Sequence, residues 1–336
     1  MGCKLDSDYT FDFTRHDSAQ ISSIPDDGLL LSESRAPSYD LSPWIVRLVS
    51  FKAETASNAL ASCSIYSDMA FTIYIFQGRL TAQASGQSQS YENDVVHFGQ
   101  QSKVMPVSCS DDMIAVGFGL RAGAYHALTG QAADGMVDGV ERADIFGLLA
   151  DDLREIYSED YSPQQWNLAL EEALRRYVAR HDPPPPNAVS AAFEQAAFAD
   201  PMQSLADFAE SQNISLRQLQ RIVKRDFGLS PRTVMRRARA LDLAAQLCGV
   251  GDKSEAEEMK LRFFDQSHMN KEFISFFGVT PQRFLARARP LLATVLKQRQ
   301  ARRLDALNRH PPYSLDSCQT RGIADHLCRA SIKAAI

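Results

Sequence analysis

The sequence repeats itself at an offset of fifty residues, and no other feature limits the fold as tightly. Phe227-Gly228-Leu229-Ser230-Pro231 returns as Phe277-Gly278-Val279-Thr280-Pro281, and the stretches in front, 215–226 and 265–276, align without a gap. Each copy spells the same local geometry. Gly228 and Gly278 suit the left-handed position that closes a helix, and Ser230 or Thr280 can cap the next one. Pro231 and Pro281 then fall in the first turn, where a missing N–H costs nothing. Both copies predict helix, glycine stop, capped restart, helix.

Upstream of the first copy, Ser204-Leu205-Ala206-Asp207 resembles a capping box that opens a short helix through Phe208 and Ala209. Asn213 tolerates positive φ in the turn, and Ser215 caps the following helix. Helical spacing turns Leu216, Leu219, Ile222 and Val223 inward and leaves Arg217, Gln220, Arg221, Lys224 and Arg225 outward. A short helix, a tight turn and a second helix with a basic-polar face make a helix-turn-helix pattern. Arg and Gln suit bidentate contacts with guanine and adenine edges, and the remaining cations suit phosphates.

The charge distribution agrees. The net charge of −5 disfavours a nucleic-acid partner when taken alone. Residues 202–304, however, hold 19 Lys+Arg against 10 Asp+Glu, or +9, whereas the rest holds 17 against 31, or −14. A basic module joined to an acidic one is the asymmetry expected where only one part meets DNA.

The motifs Ser215-x-x-x-Leu219-Gln220-Arg221 through Phe227-Gly228-Leu229-Ser230-Pro231, and Asp265-Gln266-Ser267-His268 through Phe273 to Pro281, resemble the paired motifs of AraC/XylS-type regulators. Val234-Met235-Arg236-x-x-Arg239-x-x-x-x-Ala244 is similar to the family's linker helix, and the likeness covers about 187–290. The resemblance implies an all-α DNA-binding domain of seven helices, with two recognition helices in successive major grooves of double-stranded DNA. By position it makes Arg217, Gln220 and Arg221 base readers in the first unit, and Gln266, Ser267, His268, Asn270 and Lys271 readers in the second. Lys224 and Arg225 join the DNA-facing set.

The N-terminal half reads differently. Residues 1–40 are expected to be a partly ordered arm. Residues 41–182 form a β-rich, sandwich- or barrel-like domain with C-terminal helices, its strands near Trp44–Phe51, Cys63–Tyr66, Phe71–Phe76, Val95–Phe98 and Met113–Leu120. Helical periodicity follows over Ile145–Ile156 and Pro163–His181. In the second, Trp166, Leu170, Ala173, Leu174, Tyr177 and Val178 make one stripe, either core or a dimer seam. The four prolines 183–186 are a stiff spacer, 187–296 the double helix-turn-helix domain, and 297–336 a polar tail. The fold class is therefore α+β multidomain. Val116 through Tyr125, with Leu128 and Gly130, resembles an uncharacterised domain that precedes AraC-type modules in some bacterial regulators; Ala122 stands where such domains usually have Pro. The likeness implies sensing or dimerisation and names no ligand.

The second unit departs from the family pattern. Its supporting helix carries Glu257 and Glu258 where an aliphatic residue and Ala are expected, and Arg262 replaces the turn glycine. Either that helix is rotated, packing Ala256, Met259 and Phe263 inward, or the second half is loosely held.

Other sites are weak. His97 and His126 lack the spacing of a metal site, Gly117-x-Gly119 lacks a third glycine and a helix, and no nucleophile motif is present, so neither cofactor, metal nor enzymatic activity is expected. Asp151-Asp152 and Glu171-Glu172 read as helix-face charges, and Arg236, Arg237 and Arg239 as phosphate contacts or a solvated linker-helix face. Six scattered cysteines and the lack of a long apolar run point to a cytoplasmic protein without a membrane partner. Two readings stay open. One is a sequence-specific DNA-binding regulator modulated by a small-molecule effector or by homodimerisation, with RNA polymerase as partner if it activates. The other is a protein–protein regulator whose degenerate second unit reads DNA weakly or not at all.

Overall fold

A computed structural model describes residues 28–55, 61–84, 86–142, 152–155, 161–251, 266–286 and 290–307. The N-terminal half is an antiparallel sheet. Its strands are β1 (Gly28–Arg35), β2 (Ile45–Thr55), β3 (Ala61–Ile65), β4 (Phe71–Ala84), β5 (Gln87–Glu92), β6 (Val95–Phe98), β7 (Met105–Leu120) and β8 (Val140–Arg142). They run in the order β1-β2-β7-β4-β6-β8, with β3 added to β7 and β5 to β4. The long strands β4 and β7 shift register between Ile75 and Arg79, where the sheet bends.

Alternation sorts the side chains onto two faces. Tyr74, Val116, Phe118 and Leu120 point to one face, which α2 (Pro163–His181) covers with Trp166, Leu170 and Leu174. The stripe on α2 is thus core, not a dimer seam. Ile73, Ile75, Met113 and Ala115 point to the other face, where the sheet curls around Phe98 and Val107. Of Ile145–Ile156, residues 152–155 are described and helical, and Leu153 is buried in the α2 core.

Of the expected partly ordered arm, 1–40, residues 1–27 lie outside the described residues, and the remainder is built into the sheet. Gly28–Arg35 pairs along its whole length with β2, and the Arg35 guanidinium donates to Glu171 at 2.6 Å. The backbone N–H of Ser38 donates to the same carboxylate at 2.6 Å, so Glu171 is a buried anchor between sheet and α2 rather than a surface charge. Burial would raise its pKa, but Arg35 and Ser38 outweigh that and hold it below the usual carboxylate range.

After α1 (Ala124–Thr129) and α2 the chain is helical: α3 (Ala188–Ala199), α4 (Leu205–Ser211), α5 (Leu216–Phe227), α6 (Pro231–Leu247), α7 (Gln266–Phe277), α8 (Pro281–Leu285) and α9 (Pro290–Ala306). From α3 to α8 these match six of the seven helices implied by the resemblance. The remaining one, with Ala256, Glu257, Glu258, Met259, Arg262 and Phe263, lies outside the described residues. Helix α9 crosses the expected boundary at 296, because its apolar residues reach both the sheet and the helical core.

The two halves share cores. Tyr66 packs against Phe276 and Phe277, with ring centroids 6.1 and 5.2 Å away. Trp44 Nε1 donates to the carbonyl of Pro184 at 2.9 Å, tying the proline segment to the sheet. That spacer marks a boundary in sequence, yet it is packed on its neighbour. Among the described residues, no helix is long and apolar enough to cross a membrane.

Candidate nucleic-acid interface

Helix α5 forms as its sequence dictates. Ser215 Oγ accepts from the Gln218 N–H at 3.2 Å while Gln218 Oε1 accepts from the Ser215 N–H at 2.8 Å, a reciprocal cap. Gly228 closes the helix at φ +70°. A Cβ there would lie 2.5 Å from Val137 Cγ2, so a side chain is excluded by backbone and neighbour alike. Ser230 and Thr280 cap the next helices through the N–H groups of Thr233 and Arg283, at 3.2 and 3.3 Å. Asn213 takes φ +53° in the turn between α4 and α5.

Leu219, Val223 and Phe227 are buried with Phe193, Phe208 and Met235 in the first unit's core. Arg217, Gln220, Arg221 and Lys224 are exposed. Two expectations change. Leu216 is 45% exposed, since the first helical residue overhangs the end of the core. Arg225 is drawn down by the buried Asp226, donating Nε to Oδ1 at 2.6 Å and Nη2 to Oδ2 at 2.9 Å. The same carboxylate accepts from Ser190 Oγ at 2.5 Å, so Arg225 holds α5 to α3 and is not free for a base edge. Burial would lower the Arg225 pKa, but the bond to Asp226 counts for more and raises it.

On α7, Ser267 and Lys271 are exposed, Asn270 is half-buried, and the side chains of Gln266 and His268 lie outside the described residues. The fifty-residue offset places Ser267, Ile274 and Ser275 where α5 has Arg217, Lys224 and Arg225. Lys271 is therefore the one cation of α7 that matches a cation of α5, and the second helix presents a far weaker positive field.

Glu272 was not singled out by sequence. It stands where the first unit has Ile222, and it is 3% exposed. Arg239 donates Nε and Nη2 to its two oxygens at 3.0 and 3.1 Å, and Arg236 adds Nε at 3.4 Å. The signal lay in the repeat: a carboxylate replaces an apolar residue opposite two arginines three residues apart on α6. Those arginines clamp α7 to α6. Arg237 does not join them; it is 1% exposed and donates to Gln100 Oε1 and the carbonyl of Gln101, each at 2.9 Å.

Helices α5 and α7 are both held at their C-terminal ends by the β-rich half. Lys224 Nζ lies 3.6 Å from Asp134 in the 3-10 turn Ala133–Met136, and the N–H of Gly123 donates to the carbonyl of Asp226 at 3.4 Å. The N–H of Val104 donates to the carbonyl of Phe276 at 2.8 Å. Their N-terminal turns lie at the opposite ends of the two helices.

The histidines set aside by sequence have structural surroundings. His97 is fully buried, its Nδ1 2.9 Å from Thr72 Oγ1, and burial lowers its pKa to about 4. His126 Nδ1 lies 3.1 Å from the carbonyl of Gln131. Among the described residues no cluster of His, Cys, Asp or Glu could hold a metal ion.

Residues 208–287 match a family model described as a helix-turn-helix domain. No curated protein matches the chain. Among solved structures, the chain is similar to ToxT from Vibrio cholerae, with a TM-score of 0.40 at 11% identity over 77% of this chain and 98% of that one. ToxT with an unsaturated fatty acid bound gives 0.38 at 12% identity, over 77% and 95% of the two chains. The AraC-like transcriptional activator CuxR gives 0.26 at 13% identity, over 68% and 91%.

Proposed function

We infer that this chain, whose residues 208–287 are an AraC-type helix-turn-helix domain, is a sequence-specific DNA-binding transcriptional regulator with a sensing N-terminal domain. The exposed row Arg217, Gln220, Arg221 and Lys224 on a helix fixed at both ends carries the reading. Arg217, Gln220 and Arg221 meet base edges in one major groove, and Lys224 meets phosphate after leaving Asp134. Ser267, Asn270 and Lys271, with Gln266 and His268, enter the adjacent groove more weakly. A second copy of the chain, where it joins, uses a surface other than the α2 stripe. RNA polymerase is the further partner where the bound site lies beside a promoter and the chain activates.

Arg221→Ala should weaken binding by about 1–3 kcal/mol and relax preference at one base pair. Selection of bound sequences from random DNA, followed by titration of the selected site, measures both. Equal loss on selected and random duplexes would reduce Arg221 to a phosphate contact. Replacing Gln266, Asn270 and Lys271 together by Ala should remove footprint protection from one groove and leave the Arg217–Arg221 groove covered. A triple variant with the wild-type footprint and affinity would mean that the second unit does not read DNA, which is the protein–protein alternative.

A further inference from the structure

Leu216 is the apolar exception on the exposed face of α5. Helical spacing sends it inward, yet it is 45% exposed and does not join the core that Leu219, Val223 and Phe227 form with Phe193 and Phe208. It is the first residue of the helix, directly after the Ser215 cap. Arg217 lies beside it and Gln220 one turn on, and both are exposed. The motif Ser215-x-x-x-Leu219-Gln220-Arg221 leaves this position open, and the fifty-residue offset puts Gln266 at the matching place in the second unit. Folding therefore does not require an apolar side chain at 216, and the leucine needs another reason.

We propose that Leu216 is a specificity-determining residue that packs on the C5-methyl group of a pyrimidine in the major groove, one or two base pairs from the one Gln220 reads. The proposal rests on the regulator reading above. Position supplies the reach. The N-terminal residues of a recognition helix meet base edges, and the Cα–Cβ bond of a helical residue tilts towards the N-terminus, so Leu216 leads the row. Residues four apart on a helix lie about 5–6 Å from each other and base pairs stack at ~3.4 Å, which sets the spacing from the Gln220 contact. Chemistry supplies the ligand. A leucine side chain has no donor or acceptor, and the C5-methyl is the apolar feature of the major-groove edges. Thymine carries it, and so does a cytosine methylated at C5. Charge selects DNA over an apolar protein surface, because Arg217, Arg221 and Lys224 crowd the same exposed face. A hydrophobic partner would strip water from these cations without neutralising them, whereas the phosphates beside a groove neutralise them.

The test titrates the full chain on the duplex it selects from random DNA. Replacing one thymine of that duplex by deoxyuridine should weaken wild-type binding about fourfold, the worth of one buried methyl group. Leu216→Ala should bind the selected duplex about fourfold more weakly and be indifferent to the same replacement, so that the two losses do not multiply. A cytosine put in that place should gain about fourfold on C5-methylation with the wild type and nothing with Leu216→Ala. Leu216→Gln should move the preference there from thymine to adenine, whose N6 and N7 a glutamine reads. Both variants should unfold at the wild-type midpoint, since the side chain lies outside the core. A wild-type chain indifferent to every thymine-to-deoxyuridine replacement would overturn the proposal. So would a Leu216→Ala chain that loses as much as wild type at each of them, or a methylated cytosine that gains nothing. A wild-type chain that selects no sequence at all would refute the regulator reading itself, and this proposal with it.

Discussion

Asp68→Ala should destabilise the full chain by about 3 kcal/mol or more, seen as a lower midpoint of chemical unfolding at unchanged slope. The carboxylate accepts from Arg299 Nε and Arg302 Nη2, whose side chains are only 4% and 8% exposed. Asp242 stays with Arg299 at 2.6 Å, but the next carboxylate for Arg302 is Glu194 at 3.9 Å. Truncation thus leaves a poorly compensated buried guanidinium, which is far more costly than losing a surface pair. Burial alone would raise the Asp68 pKa, yet Arg302, Arg299 and Arg237 outweigh it and hold the group well below the ordinary carboxylate range. A folded-state pKa below the unfolded ~3.9 gives stability that is complete above pH ~4 and lost as pH falls through the folded value. The difference between wild type and Asp68→Ala should accordingly shrink in acid below pH ~4. A gap that stays constant to pH 2, or a loss under ~1 kcal/mol at neutral pH, would show that the cluster does not hold the halves together.

How much of this was legible in sequence depended on whether local signals decided the outcome. The repeat placed both glycine stops, both capped restarts and the exposed row on α5, because caps and left-handed positions act over four or five residues. Strand β5 was missed because Gln87-Ser88-Gln89-Ser90 offers no apolar alternation, and only ladder pairing with β4 makes it a strand. Strand β1 falls within the stretch whose sequence reads as a partly ordered arm, since an acidic flank hides a partner that begins ten residues further on. The arginines bound to the Asp68 carboxylate lie more than two hundred residues away, and no periodicity reports that separation. Arg225 and Arg221 look alike in sequence; only the buried Asp226 next to Arg225 diverts one of them from the surface. The tetraproline segment misled in a different way. Stiffness marks a boundary but carries no information on whether the flanking domains pack together.

Glu272→Ala should cost about 3 kcal/mol and remove the second groove from the footprint while the first stays protected. The side chain is the only described carboxylate that Arg239 and Arg236 share, and Arg239 has the carbonyl of Pro201, at 2.9 Å, as its other acceptor. Without it the 13% exposed Arg239 guanidinium loses its counter-charge, and α7 keeps only the Arg236 Nη2–Ser275 Oγ contact at 3.4 Å as a described hydrogen bond to the linker helix. The first unit needs no such anchor, since Ile222 occupies the matching position and its core closes through Phe193, Phe208 and Phe227. Effects on the two grooves should therefore be unequal, which an overall loss of folding cannot produce. Glu272→Gln keeps the shape and one acceptor, and should retain part of both stability and protection. Replacing both Glu272 and Arg239 by Met removes the charges together, so stability should return towards wild type. DNA protection should recover with it if the clamp serves only to seat α7. A Glu272→Ala chain that covers both grooves with wild-type affinity would mean that the aromatic core of Phe273, Phe276 and Phe277 alone orients the second recognition helix.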